Sequence, residues 1–581
     1  MSNGSNQIET DVSLGPSCRA ESSIQTTAIC ARNVSVRLRS RDGEKVLLSN
    51  ISLQIPESFL VGVIGITGCG KTTLIRALAG VQRPTDGEIL LAGHRVTELR
   101  REFPLAIGYL PQFGAFHREL TVHEILDYSS KLRLPSSVSV EAKRNWIEHI
   151  IQVARIRSVL SQPSPTLSGG QLRRVALAEE LIGDPAFLFL DELTSGLDAF
   201  SDEEMMNWLR SLAHHMSKTI VLVTHSTSHL DLCDVIVFLH EGRLVHFGTY
   251  ESLLETNGVA SVSDLFRMYQ NGQVDLLPPA AEETPTIEPR PIRTAKPPSG
   301  WRQIPTLVRR QFQLFWRDKS QLYLHAALAV TFPLLVAVFA YKGLPQVRNL
   351  TLTLERNVVL TLQEQLLYLR DSFKAASLIS GLAMFQVILL TLVGANNGAR
   401  EIAKEDVILR KELRAGLSPA AYVGSKFLQI IWLVAAQSFW MAWFVKSVCG
   451  FPGSLLSQFA VLFATTLAMS VTCLAISAVC STPERASLLS IYLVGFQLPL
   501  SGAALALPAW LSTICRPFIA AYWGWSGYLQ TLHSTRHYDI VRQSTQTTVA
   551  DYAVSLTMLS VHVFVASAAA IYFVSRKRRQ V

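Results

Sequence analysis

Phe59-Leu60-Val61-Gly62-Val63-Ile64-Gly65-Ile66-Thr67-Gly68-Cys69-Gly70-Lys71-Thr72-Thr73 decides how the first half of this chain folds. An apolar, strand-like run passes into GxxxxGK[ST] and then into a helical run over residues 71–78, the order that a phosphate-binding loop needs. The glycines let successive backbone N–H groups turn toward an anion at the helix N-terminus, where the peptide dipoles favour negative charge. Lys71 would reach the β- and γ-phosphates and Thr72 would bind Mg2+. The alternative, an ordinary Gly-rich strand-to-helix turn, weakens as the surrounding sequence is read.

Downstream, Phe187-Leu188-Phe189-Leu190 reads as a buried strand ending in Asp191-Glu192. Two adjacent carboxylates there can take two tasks: Asp191 as a metal ligand and Glu192 as the base that polarises an attacking water. Leu167-Ser168-Gly169-Gly170-Gln171 precedes a helix, so Ser168 and its glycines sit at a second helix N-terminus competent for phosphate. Across residues 29–250, short β-rich runs (59–64, 186–190, 219–223) alternate with helical ones (71–78, 202–214). That pattern predicts an α/β domain with a largely parallel core sheet.

The second half reads differently. Residues 301–581 carry 25 basic and 11 acidic residues, against 28 and 34 in residues 1–300, so the halves net +14 and −6. Overall the chain is 17% charged and 49% apolar, with a mean hydropathy of +0.26. An acidic first half and a sparsely charged second half point to a membrane and away from nucleic acid as partner. Six uncharged runs are long enough to span a bilayer: residues 321–341, 375–398, 427–445, 454–480, 486–508 and 552–575. Basic clusters at 309–319, 400–414 and 576–579 all fall on one side if there are six spans, which makes that side cytoplasmic and keeps the soluble half with it. The aromatic run 517–535 is read as part of a re-entrant or interfacial segment, 510–535, in the last outer loop, because a seventh crossing would put residues 576–579 outside. Eight cysteines without CxxC spacing signal neither zinc nor a disulfide framework.

The expected organisation is a disordered leader at 1–24 without a secretory signal, a nucleotide-binding domain at 25–272 and a Pro-rich linker at 273–300. An amphipathic connecting helix at 301–320 and a six-span all-α membrane domain at 321–581 follow.

The order of P-loop, Gln112, Leu167–Gln171, Asp191-Glu192, Ser195-Gly196-Leu197-Asp198 and a strand-terminal His225 resembles an ABC-transporter nucleotide-binding domain. An N-terminal ATPase fused to six spans resembles a half-transporter of the G subfamily and its bacterial relatives. Thr194 to Asp198, His117 to Val122 and residues 410–422 carry that wording, the last as bacterial members write it. The resemblance implies ATP and Mg2+ at Gly65, Ile66, Thr67, Gly68, Cys69, Gly70, Lys71, Thr72 and Thr73, with Thr72, Gln112 and Asp191 at the metal. It implies Glu192, His225 and Gln112 as catalytic residues. Leu167, Ser168, Gly169, Gly170 and Gln171 would act on the ATP of a second chain, with Asp198 at the dimer seam. A homodimer is the simplest reading; a related partner chain is the alternative. Residues 401–417 resemble the short helix through which such membrane domains receive force, against a solvated charged loop. His214, His215, His229, His240 and His246 have no such support and read as surface or structural residues.

The resemblance further implies export of a lipid-like or amphipathic substrate across the plasma or inner membrane, since the spans lack the charges of an ion pathway. A membrane-bound regulatory or mechanical ATPase acting on a partner protein is the rival, kept alive by the long outer segment 342–374 with its helical spacing of leucines. Three departures from the family stand out. Residues 34–51 hold no aromatic to stack on adenine, leaving Val36 or Val46 as aliphatic candidates. Leu193 replaces the proline usual after the glutamate. The last outer loop lacks a cysteine cluster, so Cys449 and Cys515 are expected to be free thiols.

Overall fold

The computed structural model describes residues 27–40, 43–112, 114–195, 198–270, 290–291, 296–340, 358–503, 507–545 and 547–580. The expected leader, most of the linker, residues 341–357 and Gly196-Leu197 lie outside these. The chain divides into two compact units between Pro297 and Pro298.

The described residues of the first unit form ten strands: β1 Thr27–Ser40, β2 Gly43–Pro56, β3 Leu60–Gly65, β4 Asp86–Leu91, β5 His94–Arg95, β6 Ile107–Leu110, β7 Phe187–Asp191, β8 Thr219–Val223, β9 Val235–His240 and β10 Arg243–Gly248. Six of them form one sheet in the order β10-β9-β3-β8-β7-β6. All neighbours in it are parallel except β10 against β9. Each parallel strand is apolar on both faces, which only a sheet covered on both sides tolerates. Side chains alternate across the pleat, so one strand feeds two cores. Leu60, Leu188, Leu190, Leu222 and Ile236 join the helices Gly169–Leu181 and Ala199–His215 in one. Val61, Val63, Phe189, Val221 and Val237 join Leu74, Ile75 and Leu78 of the P-loop helix in the other. The expected parallel sheet is thus present.

A second, antiparallel sheet in the order β2-β1-β4-β5 closes over that latter core with Ile29, Val34, Val36, Leu48 and Ile51. Sequence reading missed it, because its two long strands carry bulges that break strict alternation: the register shifts twice between Val34 and Arg37.

The second unit is helical among its described residues. Five segments are long and apolar enough to cross a membrane: Lys319–Phe339, Gln365–Arg414, Pro419–Cys449, Leu455–Val479 and Tyr552–Arg579. On the run read as the fifth span lies an 18-residue helix, Pro483–Leu500, which carries Glu484 and Arg485 in its first turn. It stops where Gly502 turns the chain with φ 74°. The aromatic stretch beyond forms short helices, Ala509–Cys515 and Ala520–Gln530, neither long enough to span. Trp525 and Tyr528 are buried there, with the indole Nε1 donating to Ser380 Oγ at 3.2 Å and the phenol donating to Gln386 Oε1 at 3.3 Å. The run 301–320 is helical from Gly300 to Arg317. Its inward stripe of Gln303, Leu307, Arg310, Gln311, Leu314 and Phe315 follows the three-to-four-residue period.

Candidate functional site

The P-loop leaves β3 at the centre of the parallel sheet and enters the helix Lys71–Leu78 directly. Two of its glycines are sterically required. A Cβ on Gly65 would meet the Leu239 carbonyl oxygen at 2.3 Å, and one on Gly70 would meet that of Leu47 at 2.8 Å, both at positive φ. Lys71 is buried, and its Nζ donates to the carbonyls of Gly65 at 2.7 Å and Ile66 at 3.1 Å. Burial holds its ammonium below the usual lysine range, opposed by nearby Cys69, Glu192 and Asp191.

Thr72 Oγ1 donates to Asp191 Oδ1 at 3.2 Å across 119 residues of sequence. Asp191 ends β7, the strand separated from β3 by β8. Burial raises its carboxyl above the usual range, while the Thr72 hydroxyl and Arg76 pull it down. A hydroxyl and a carboxylate side by side are the hard oxygen donors that Mg2+ prefers, so these residues fit the ion.

Glu192 follows with φ 57°, a strained conformation for a side-chain-bearing residue, fixed by its N–H donating to Val223 O at 2.9 Å. This left-handed turn presents the carboxylate beside the loop. Gln112, two residues past β6, donates its Nε2 to Glu192 Oε2 at 2.5 Å. His225, two residues past β8, sets its Nε2 2.9 Å from Glu192 Oε1. Three adjacent parallel strands therefore deliver Gln112, Asp191-Glu192 and His225 at their carboxyl ends, where open α/β sheets bind ligands. Leu193 is buried in the sheet–helix core, which accounts for a large apolar residue in place of proline.

Ser168 caps the helix Gly169–Leu181: its Oγ accepts from Gln171 N at 3.3 Å, and Gln171 Oε1 accepts from Ser168 N at 3.0 Å. Ser168 and Gly169 are exposed, and among the described residues no hydrogen bond joins Leu167–Gln171 to the P-loop. Asp198, also exposed, caps the helix Ala199–His215 through Ser201 N at 2.9 Å and Ser201 Oγ at 2.8 Å. Those bonds hold its carboxyl below the usual range. Gln112, Glu192 and His225 thus meet within one chain, while the Ser168 and Asp198 turns are exposed.

Val36, an aliphatic candidate for the base, is 1% exposed and belongs to the core, so it is withdrawn. Among the described residues Cys449 and Cys515 form no disulfide, Cys449 being buried. Of the unsupported histidines, His214 pairs with Asp234 at 3.2 Å and His240 packs its ring on Tyr269.

In the second unit, residues 401–417 are not a solvated loop. Glu401, Glu405 and Asp406 are buried at the start of the helix Asp406–Arg414. Lys426, 1% exposed, donates to Glu401 at 3.0 Å, Glu405 at 2.9 Å and Gln311 at 2.9 Å. Tyr422 donates to Glu405 at 2.7 Å, and Arg310 forms a two-pronged pair with Glu412. Lys577 reaches Asp406 at 2.6 Å. Sequence reading missed this ion network; the one available signal was a lysine immediately before an apolar span.

The family model for the ABC transporter matches residues 48–195, and that for the ABC-2 type transporter matches residues 302–528. The chain is 28% identical over 511 residues to the ABC transporter ATP-binding/permease protein Rv1747 of Mycobacterium tuberculosis, covering 84% of this chain and 56% of that protein. It is 34% identical over 227 residues to the probable sulfate/thiosulfate import ATP-binding protein CysA of Chlorella vulgaris, covering 39% of this chain and 93% of that one. With the opaque-specific ABC transporter CDR3 of Candida albicans it shares 30% over 362 residues, 54% of this chain and 24% of the other. A solved ATP-binding subunit of an ABC transporter overlaps 42% of this chain and 100% of its own, at 22% identity and a TM-score of 0.37. The chain spans 56% of the length of Rv1747 and 59% of that of the Mycobacterium tuberculosis CysA.

Proposed function

Because the chain belongs to the ABC transporter family, with its ATPase part at residues 48–195 and an ABC-2 type membrane part at residues 302–528, we propose that it is an ATP-driven half-transporter that works as a dimer. The observation that carries this reading is the convergence of Gln112 and His225 on the Glu192 carboxylate, next to Lys71 and the Thr72–Asp191 pair, in a chain whose described residues also include five apolar segments of spanning length. Lys71 and the P-loop N–H groups hold the triphosphate, and Glu192 takes a proton from the attacking water. Thr72, Asp191 and Gln112 would hold Mg2+, which would supply positive charge against the phosphates. The outward-facing Ser168 and Asp198 turns suit a second copy of the chain, whose ATP the Leu167–Gln171 turn would complete. Closure of the pair on ATP would drive a lipid-like or amphipathic molecule outward across the plasma or inner membrane, with the ATPase in the cytoplasm.

The helix Val358–Gly398 runs 41 residues, well beyond the length a bilayer needs, and this supports a second reading in which outer residues act on a partner protein. ATP hydrolysis by the full chain in lipid nanodiscs, measured across lipids and amphipathic compounds with Glu192→Gln as control, separates the two. Stimulation by compounds supports export. Stimulation by a partner protein alone supports the rival.

A further inference from the structure

His225 stands in a stretch that neither helix nor sheet supports. Residues 224–227, past the end of β8, belong to no regular element, and the His225 side chain is 38% exposed. An irregular backbone keeps one conformation only where other bonds offset the entropy of ordering it. Here side chains make those bonds. Upstream of His225, Thr224 N donates to Val63 O of β3 at 3.3 Å. The Thr224 hydroxyl meets that of Thr194 at 2.9 Å and accepts from Ser226 N at 3.0 Å. Both threonines are buried, so this side of the turn is fixed to the P-loop strand and to the segment that follows Glu192.

Downstream of His225, the Ser226 hydroxyl donates to Asp202 Oδ2 at 2.7 Å across 24 residues of sequence. Asp202 lies in the first turn of the helix Ala199–His215 and is 5% exposed. Its other oxygen, Oδ1, is buried and has no hydrogen-bond partner among the described residues. Burying a carboxylate on a single hydroxyl is costly, and the positive end of the helix offsets only part of that cost. The group is therefore a poor source of stability. What it does supply is one directed bond to the residue beside His225.

We propose that Asp202 and Ser226 are positioning residues for hydrolysis: their hydrogen bond holds the turn that keeps the His225 ring against the Glu192 carboxylate. The inference rests on the reading of Glu192 and His225 given above and adds a layer behind them. Loss of the bond leaves the imidazole intact and frees it to move off Glu192. Turnover feels a displacement of that kind steeply, and nucleotide affinity hardly at all.

The test measures steady-state ATP hydrolysis and displacement of a fluorescent ATP analogue, both with the purified full-length chain in lipid nanodiscs. Asp202→Ala and Ser226→Ala are each expected to lower kcat by about tenfold, with affinity for Mg-nucleotide within about twofold of the unmodified chain. Asp202→Asn keeps an acceptor for the Ser226 hydroxyl and should restore most of the rate lost in Asp202→Ala. The double variant Asp202→Ala/Ser226→Ala should be no slower than either single one, because both remove the same bond. Ser226 is only half-buried, so its truncation tests the bond even where Asp202→Ala fails to fold. Glu203→Ala, at an exposed neighbour, is the control and should hydrolyse normally. Turnover within about twofold of normal in Ser226→Ala overturns the proposal. So do additive losses in the double variant, an Asp202→Asn chain as slow as Asp202→Ala, or affinity that falls as far as kcat. His225→Ala separates the two levels of argument. If it slows hydrolysis while Ser226→Ala does not, only the positioning role fails; if it hydrolyses normally, the reading of the site fails and the positioning role with it.

Discussion

His225 Nε2 lies 2.9 Å from Glu192 Oε1, although the two residues stand 33 apart in sequence, beyond the ends of different strands. The other oxygen of the same carboxylate accepts from Gln112, so both flanking strands fix the orientation of one group. If Glu192 is the base, as proposed, a carboxylate held from both sides is a positioned one, and its removal should be felt in turnover and not in binding. Glu192→Gln is expected to lower ATP turnover by about 10²–10⁴-fold with Mg-nucleotide affinity retained. A variant that hydrolyses at more than a tenth of the normal rate would remove Glu192 from this role.

Lys71 makes its two contacts to P-loop carbonyls from a buried position, so a shorter side chain forfeits both the charge and the loop geometry. Lys71→Ala should lose nucleotide binding together with hydrolysis, read by displacement of a fluorescent analogue. Normal binding with lost turnover would contradict the assignment to phosphate contact.

Burial raises the Asp191 carboxyl, so it takes up its proton at a higher pH than an open carboxylate does. The sign follows from linkage: the folded chain binds this proton more tightly than the unfolded one, so this group favours folding toward acid, while the proton would compete with the Mg2+ proposed at the same oxygens. Affinity for Mg-nucleotide should therefore fall as the pH drops, and Asp191→Asn should be weak throughout with a flattened profile. Titrations at several pH values check this; an affinity that rises toward acid sinks it.

The Ser168 and Asp198 turns are exposed, with no hydrogen bond to the P-loop within the described chain. If each completes the site of a second copy, two defective chains should complement one another. Chains carrying Ser168→Arg and chains carrying Lys71→Ala, each inactive alone, are expected to regain hydrolysis when co-expressed and co-purified. Persistent inactivity of the verified mixed dimer would count against shared sites.

Lys426 sits among Glu401 and Glu405 with almost no solvent access. Replacing it with methionine removes the cation that Glu401 and Glu405 share, while Glu401 keeps Lys404 at 2.7 Å and Glu405 keeps the Tyr422 hydroxyl; removing one partner of a buried pair costs up to about 3–5 kcal/mol. Thermal unfolding of Lys426→Met in detergent should show a much lower midpoint than for the exposed control Lys319→Met. Equal midpoints would mean that the network contributes nothing net.

Local chemistry was legible in the residues themselves. The P-loop needs consecutive residues in strand, turn and helix, so Gly65 to Thr73 declared both its conformation and its ligand. The fully buried strands β3, β7 and β8 and the apolar runs of the second half were equally local, because composition alone decides whether a segment can be covered or must lie in lipid. The resemblance placed Gln112, Glu192 and His225 in roles, but spacing along the chain did not say that they meet. That meeting comes from the strand order β3-β8-β7-β6, which brings three separate strand ends to one carboxylate. Register likewise put Leu38 and Val46 on opposite faces of the β1–β2 hairpin, through one extra residue at Leu47. Lys426 found its carboxylates 25 and 21 residues earlier in the chain, across a turn that no periodicity announces. Sequence determined which groups exist and what each segment can become; tertiary structure decided which groups face one another, because long-range hydrogen bonds and ion pairs depend on register and packing that only the assembled fold supplies.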